Sequence, residues 1–339
     1  MQPVRWGVLG AAKFALTHMA RAINEADGAV FAALATSDVS RADAFRAFAP
    51  AIRVFADYDA LLADPEIDAV FIPLPNHLHV EWTLKALAAG KHVLCEKPVA
   101  MRAEEIDTLI AARDARGLLA AEAFMIVHHP QWQRARDLIA EGAIGRVAHV
   151  DAAFSYDNRA DPGNIRNRPE TGGGGIRDIG VYTYGSVRFA TGAEPMMESL
   201  AARIVRENGV DTWAQVTGDM KGPAGRFTYS AMTSMRLFPR QEVTFQGSEG
   251  MLRVAPAPFN AGTHDIAQIE LHRPGQVVTI ERFPAVRQYK LQVEAFCRSV
   301  RQGTAYPCPL EFSRGTQAMI DRVFAVAGDI PTPEGMRSA

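Results

Sequence analysis

The sequence predicts a two-domain α/β protein. The first domain is an N-terminal doubly wound parallel sheet over residues 1–122. The second, over residues 123–339, is a C-terminal α/β domain with a large, mostly antiparallel open sheet. Three observations carry this. Up to about residue 122, short apolar runs alternate with longer stretches of helical period. After that the rhythm becomes extended segments divided by turn residues. The length, 339 residues, is that of two ordinary domains.

The apolar runs of the N-terminal stretch are VRWGVL at 4–9, AVFAALA at 29–35, DAVFIPL at 68–74, KHVLC at 91–95 and GLLAAEA at 117–123. Each is nearly continuous in hydrophobicity, as a parallel strand covered on both faces must be. Between them, residues 16–26, 80–90 and 103–117 have helical period, and two of the three end on glycine. Strand and helix in strict alternation give an open sheet with right-handed crossovers. Beyond residue 122 a single helix, PQWQRARDLIAEG, precedes extended segments such as RVAHVDAAFSYD, RFTYSAMTSM, QEVTFQG and QIELHRP. The run TGGGGIRDIG at 171–180 interrupts this pattern.

Composition narrows the function. With 36 Lys and Arg against 38 Asp and Glu the formal charge is -2, which offers nucleic acid and anionic membranes no electrostatic footprint. The expected partner is a small molecule. Cys95, Cys297 and Cys308 are three in number and far apart, as in a reducing compartment, so a cytoplasmic location is expected. No apolar run reaches the ~18 residues of a membrane span, and the N-terminus runs directly into a strand, so a soluble, unprocessed chain is expected.

GAAKFA, residues 10–15, stands where a glycine-rich dinucleotide fingerprint would fall. Gly10 can make the tight turn, and Ala15 suits close helix packing, but Ala12 adds a methyl where backbone should approach pyrophosphate. The same six residues also fit a plain strand-to-helix turn. At the end of the second run, ATSDVSRA offers Thr36, Ser37 and Arg41, hydroxyls plus a guanidinium, in the place where a ribose 2′-phosphate would lie. Asp38 dissents as an anion, and it or Ser40 can instead cap the next helix. The segment VLCEKPVA sets Glu96 and Lys97 just past a strand, at the carboxyl edge where such sheets bind ligands. Lys97 there either faces the reacting carbon of a nicotinamide, whose positive ring would lower its pKa, or is a solvated loop lysine. On the same edge PLPNHLH supplies Pro73, Leu74, Asn76 and His79. The pairs His77/His79 and His128/His129 have poor spacing for metal, and no metal site is expected.

These motifs, in order, resemble those of the Gfo/Idh/MocA oxidoreductases: VFIPLPNHLH, AGKHVLCEKPVA, EAF at 122–124 with His129 and Pro130, NIR at 164–166 and GGGGIRDIGVY at 172–182. The nearest branch is that of glucose-fructose oxidoreductase, dihydrodiol dehydrogenase, xylose dehydrogenase and 1,5-anhydrofructose reductase. The resemblance implies an N-terminal Rossmann domain and a C-terminal domain whose open sheet serves homo-oligomerisation, as a homodimer or larger. It also implies a nicotinamide cofactor held by Gly10, Ala12, Lys13, Phe14, Thr36, Ser37, Arg41, Pro73, Leu74, Asn76, His79, Glu96 and Lys97. The TSDVSR segment is similar to that of NADPH-dependent members, so NADP is the expected cofactor, with NAD the alternative.

The catalytic residues implied are Lys97, Asp178 and Tyr182, with Asn164 and Arg166 joining them around a carbohydrate substrate. Asp178 and Tyr182, four apart, would share a helix face. An ammonium near a phenol favours the ionised phenol, so a Lys–Tyr proton relay accompanying hydride transfer is expected. The reaction implied is aldose C1 oxidation or reduction of a related sugar carbonyl. Tyr156, Asn158 and Arg159 are further substrate candidates. Ile126 and Val127 replace an aromatic and an arginine, and Arg177 replaces an apolar residue, which affects sugar identity. The family also holds a non-catalytic NADP-binding sugar regulator and NAD-dependent glycosidases. The lysine and tyrosine present here favour turnover over the first, and net nicotinamide reduction would exclude the second.

Overall fold

The structure is a computed structural model that describes residues 2–223 and 225–334. By compactness the chain divides into two units. The first comprises the residues up to 128 and Arg287–Arg314, the second His129–Val286 and residues from 315 onward. A single cut after residue 122 therefore misses the returning segment. Helix Gln288–Gln302 buries Val293, Phe296 and Cys297, and Phe296 packs on Trp6 of the first strand with ring centroids 4.9 Å apart. Nothing local in 287–314 advertises that destination.

The first unit holds a six-stranded parallel sheet. Its strands are β1 (Val4–Leu9), β2 (Ala29–Ala35), β3 (Arg53–Phe55), β4 (Ala69–Ile72), β5 (His92–Cys95) and β6 (Ala120–Glu122), in the order β3-β2-β1-β4-β5-β6. Five of the six coincide with the apolar runs. The sixth, β3, is three half-buried residues beginning on Arg53, too short and polar for periodicity to show. Strand order reverses between β1 and β4, so the loops after β1, β2, β4 and β5 open at one carboxyl edge.

The second unit is built on ten strands: β7 (Val147–Asp157), β8 (Glu194–Pro195), β9 (Ala201–Glu207), β10 (Val210–Gly222), β11 (Gly225–Ser234), β12 (Arg236–Gly247), β13 (Met251–Val254), β14 (Ala267–Arg273), β15 (Val277–Phe283) and β16 (Ala327–Asp329). Most pairings are antiparallel, but β7 with β11 and β9 with β16 run parallel, so the sheet is mixed. Helices Pro130–Ala140 and Val181–Thr191 belong to this unit. The first starts on a buried His129 whose Nδ1 accepts from Gln131 N at 3.1 Å, with Pro130 in the first turn. The hairpin β9–β10 lies outside the sequence expectation, although Asn208 and Gly209, both at positive φ, make the kind of two-residue turn that joins antiparallel strands.

Candidate active site

In the first unit, Gly10 ends β1 with φ +108° and donates to Ala35 O at 2.8 Å. A Cβ there would meet Leu74 Cδ2 at 3.1 Å and Tyr58 Oη at 3.2 Å, so the conformation favours glycine and the space beside it is tight. Beyond it Ala12 is half-buried, Lys13 exposed and Phe14 half-buried, before a wide π-turn at Ala15–Met19 starts the helix. Arg41 returns to this turn, Nη2 donating to Ala11 O at 2.5 Å. Asp38 is a cap: its Oδ1 accepts from Ser40 N at 3.1 Å and Ser40 Oγ at 2.6 Å. Thr36 departs from its expected role. It is 3% exposed, and its hydroxyl donates to Asp38 O and accepts from Asp38 N, so it shapes the loop from within. Ser37 and Arg41 are exposed, as are Asp38, Val39 and Ser40 between them.

After β4, Pro73 and Asn76 are half-buried and Asn76 opens a short 3₁₀ turn. His79 is fully buried, with Nδ1 2.7 Å from Pro98 O and Nε2 2.7 Å from Leu74 O. Burial holds its pKa below the ordinary imidazole value, so the neutral ring donates to one carbonyl at a time. His79 therefore joins the loops after β4 and β5. In the second of those loops Lys97 is half-buried, its N–H donating to Glu96 Oε2 at 3.3 Å, and the Lys97–Pro98 bond is cis. Glu122 Oε1 accepts from Val99 N at 2.9 Å and fixes the far side of the turn.

In the second unit the substrate candidates gather around Asp178. Its Oδ2 accepts from Tyr156 Oη at 2.6 Å and lies 2.8 Å from Arg166 Nε. The charge of Asp178 raises the pKa of Arg166 against the opposing effect of burial, and Tyr156 and Tyr182 add to it. Burial first, then Asp178, pushes Tyr156 well above the ordinary phenol value, so it stays a donor. Asn164 Oδ1 accepts from the main-chain N–H of Arg166 at 3.1 Å and caps the short turn that carries it. Tyr182 is 6% exposed, its ring 5.9 Å from Phe154 and 5.5 Å from Phe259. Asn158 and Arg159 are engaged elsewhere: Asn158 Oδ1 accepts from Arg236 Nη1 at 2.6 Å, and Arg159 pairs with Asp157.

The glycine run now has its reason. Gly173 N donates to Arg168 O and Gly174 N to Arg166 O, and a Cβ on Gly173 would stand 2.5 Å from Arg166 O. Only bare backbone fits against the turn that carries Arg166. The following turn, Ile176–Gly180, is π and not α, so Asp178 and Tyr182 are related across a widened turn in place of the expected i,i+4 ladder. Of the departures, Arg177 lies over the Phe324 ring at 4.9 Å, and Val127 is buried in the 3₁₀ turn Met125–His128.

Several neighbours escaped the sequence reading. Tyr58 packs edge-on to Trp82 beside Gly10, and Tyr289 sits 5.7 Å from Phe14. Phe154 and Phe259 wall Tyr182, and Trp132 stacks on Phe259 at 6.2 Å while donating to Pro258 O. No local signal marks these partners.

Residues 4–124 match the family model described as oxidoreductase family, NAD-binding Rossmann fold, and residues 132–253 match the GFO/IDH/MocA C-terminal domain. The chain belongs to the Gfo/Idh/MocA oxidoreductases. Among members of the family, an uncharacterised oxidoreductase of Rhizobium meliloti is 36% identical over 95% of this chain and 96% of its own. The D-xylose 1-dehydrogenase (NADP(+)) 2 of Haloferax volcanii is 32% identical over 95% of this chain and 97% of its own. The crystal structure of KijD10, a 3-ketoreductase from Actinomadura kijaniata in complex with NADP and TDP-benzene, is 29% identical, covers 98% of this chain and 100% of that one, and has a TM-score of 0.87. As a Gfo/Idh/MocA protein the chain is an NAD(P)-dependent sugar oxidoreductase or ketoreductase. Among the described residues no helix is long and apolar enough to cross a membrane.

Proposed function

We propose that the chain is an NADP-preferring sugar oxidoreductase, acting at aldose C1 or at a related sugar carbonyl, in which Tyr182 and Lys97 form a proton relay. The observation that carries this reading is the cluster of Asp178, Arg166 and Tyr156 with Tyr182 in an aromatic wall beside it. A carboxylate, a guanidinium and flat apolar rings suit a polyol, whose hydroxyls need directed partners and whose C–H faces need contact. A bound nicotinamide supplies the hydride acceptor or donor. The Gly10 turn, Ser37 and Arg41 fit its phosphate end, because Thr36 and Ser37, not a carboxylate, directly follow β2, and the nearby Asp38 is engaged with Ser40.

Lys97 and Arg166 are cations that favour a Tyr182 oxygen free of its proton. In the oxidative direction Tyr182 Oη then takes the proton of the sugar hydroxyl, and in the reverse direction it returns it. Lys97 orients the substrate oxygen. Asp178, fixed by two donors, grips a neighbouring hydroxyl and leaves proton transfer to the phenol. Self-association through the open sheet belongs to the same proposal, centred on the polar face of His149, Asp151, Arg240, Glu242 and Thr244, and light scattering of the purified chain tests it. So does a cytoplasmic location, for which the wide separation of Cys95, Cys297 and Cys308 in the sequence is the support.

The test is absorbance at the nicotinamide band with NADP⁺ and NAD⁺ against aldoses, anhydro-sugars and trans-dihydrodiols. Turnover of at least one aldose or sugar ketone, faster with NADP, is expected. Tight NADP binding with no turnover of any would overturn the reading.

A further inference from the structure

The helix bearing Asp178 and Tyr182 begins without a cap of its own. Its first turn follows Gly175, which has no side chain with which to cap the buried N–H groups there. A carboxylate from a different element fills the gap. Asp211, on β10 and 2% exposed, accepts from Ile176 N through Oδ2 at 2.6 Å. Its other oxygen lies where a Cβ on Gly174 would collide with it, and Gly174 itself has φ +115°. The pairing of β9 with β10 is irregular between Asp211 and Trp213, and bulges of this sort re-aim a side chain that regular pleating would send elsewhere.

We propose that Asp211 is a positioning residue of the active site, tying the Ile176 peptide and so fixing the turn that presents Asp178 and Tyr182. It touches no substrate in this role. Three features converge on one backbone N–H: a buried acceptor, a glycine stripped of side chain at the point of contact, and an irregular strand. Burial pushes the Asp211 carboxyl up to about 7, while the Ile176 hydrogen bond and the charges of Arg177 and Arg206 oppose that rise. A misplacement of about 1 Å at Tyr182 would cost about a hundredfold in rate, which is the scale on which such a tie matters.

The inference rests on the proposed reaction, and its test separates the two. Asp211→Ala removes the acceptor, whereas Asp211→Asn keeps an acceptor oxygen of the same shape. Hydrogen exchange of the amides at 174–182 is measured together with NADP affinity and kcat on the best sugar. For Asp211→Ala we expect exchange in that segment to rise about tenfold or more and kcat to fall about a hundredfold, with NADP affinity within about twofold. Asp211→Asn should keep exchange near wild type and kcat within about fivefold. Unchanged exchange in a folded Asp211→Ala protein overturns the proposal, as does an Asn variant as impaired as Ala. If Ala does not fold, the Asn variant decides alone: kcat below about one-twentieth of wild type, or loosened amides at 174–182, overturns it. A wild type without turnover sinks the reaction but leaves the exchange result to judge Asp211.

Discussion

In the N-terminal unit the residues expected to hold the cofactor stand in loops directly following a strand: Gly10 after β1, Ser37 and Arg41 after β2, Asn76 after β4, Lys97 after β5. In the C-terminal unit the groups around Asp178 come from β7, the turn at Ile165–Asn167, the helix itself, β10 and the loop after β13. The first arrangement uses sheet topology as its ruler. The second uses a side-chain network, in which Tyr156 and Arg166 reach Asp178 from other elements of the chain. Damage should therefore stay local in the first unit and spread in the second.

The largest effect should come from the phenol. Tyr182→Phe keeps the packing against Phe154 and Phe259 and removes one oxygen, so kcat should fall about 10³-fold with NADP affinity unchanged, read by steady-state kinetics and fluorescence titration. Next, Arg166→Ala deprives Asp178 of a charged donor and should lower kcat about 10²-fold, against about tenfold for Tyr156→Phe, which leaves the ion pair in place. Equal losses would mean that charge is not what holds Asp178. Smaller again, Arg41→Ala should raise the Kd for NADP about tenfold and hardly move that for NAD, confining the damage to one loop.

The mildest expectation treats both units alike. Burial lowers the pKa of His128 to about 3 and that of His129 to about 4, while the unfolded chain titrates near ~6.5. Between these limits the unfolded state binds more protons, so stability present above pH ~6.5 is lost as pH falls toward 4. A drop of a few degrees in Tm between pH 7 and pH 5 is expected by scanning calorimetry. His128→Phe should reduce that drop.

Much of the first unit was legible because parallel strands buried on both faces announce themselves as apolar runs, and the turns after them follow directly. β3 was not, since three half-buried residues make no pattern. In the second unit the helix, the extended segments and the pair Asp178 and Tyr182 could be named, but Asp211 could not. Its meaning lies in one hydrogen bond from β10 to the first turn of a helix, to a residue 35 positions earlier. Thr36 shows the converse, a hydroxyl of the right type in the right place that turns inward to its own loop. His79, likewise, was expected at a cofactor, and its place between two carbonyls was illegible.

The relay itself is best tested by a double-mutant cycle on kcat with Lys97→Met and Tyr182→Phe. If the two side chains act on one substrate oxygen, the double variant should be no slower than the slower single variant, within about threefold. Multiplying losses, so that the double variant falls by the product of the two, would show that they act independently and would contradict the relay.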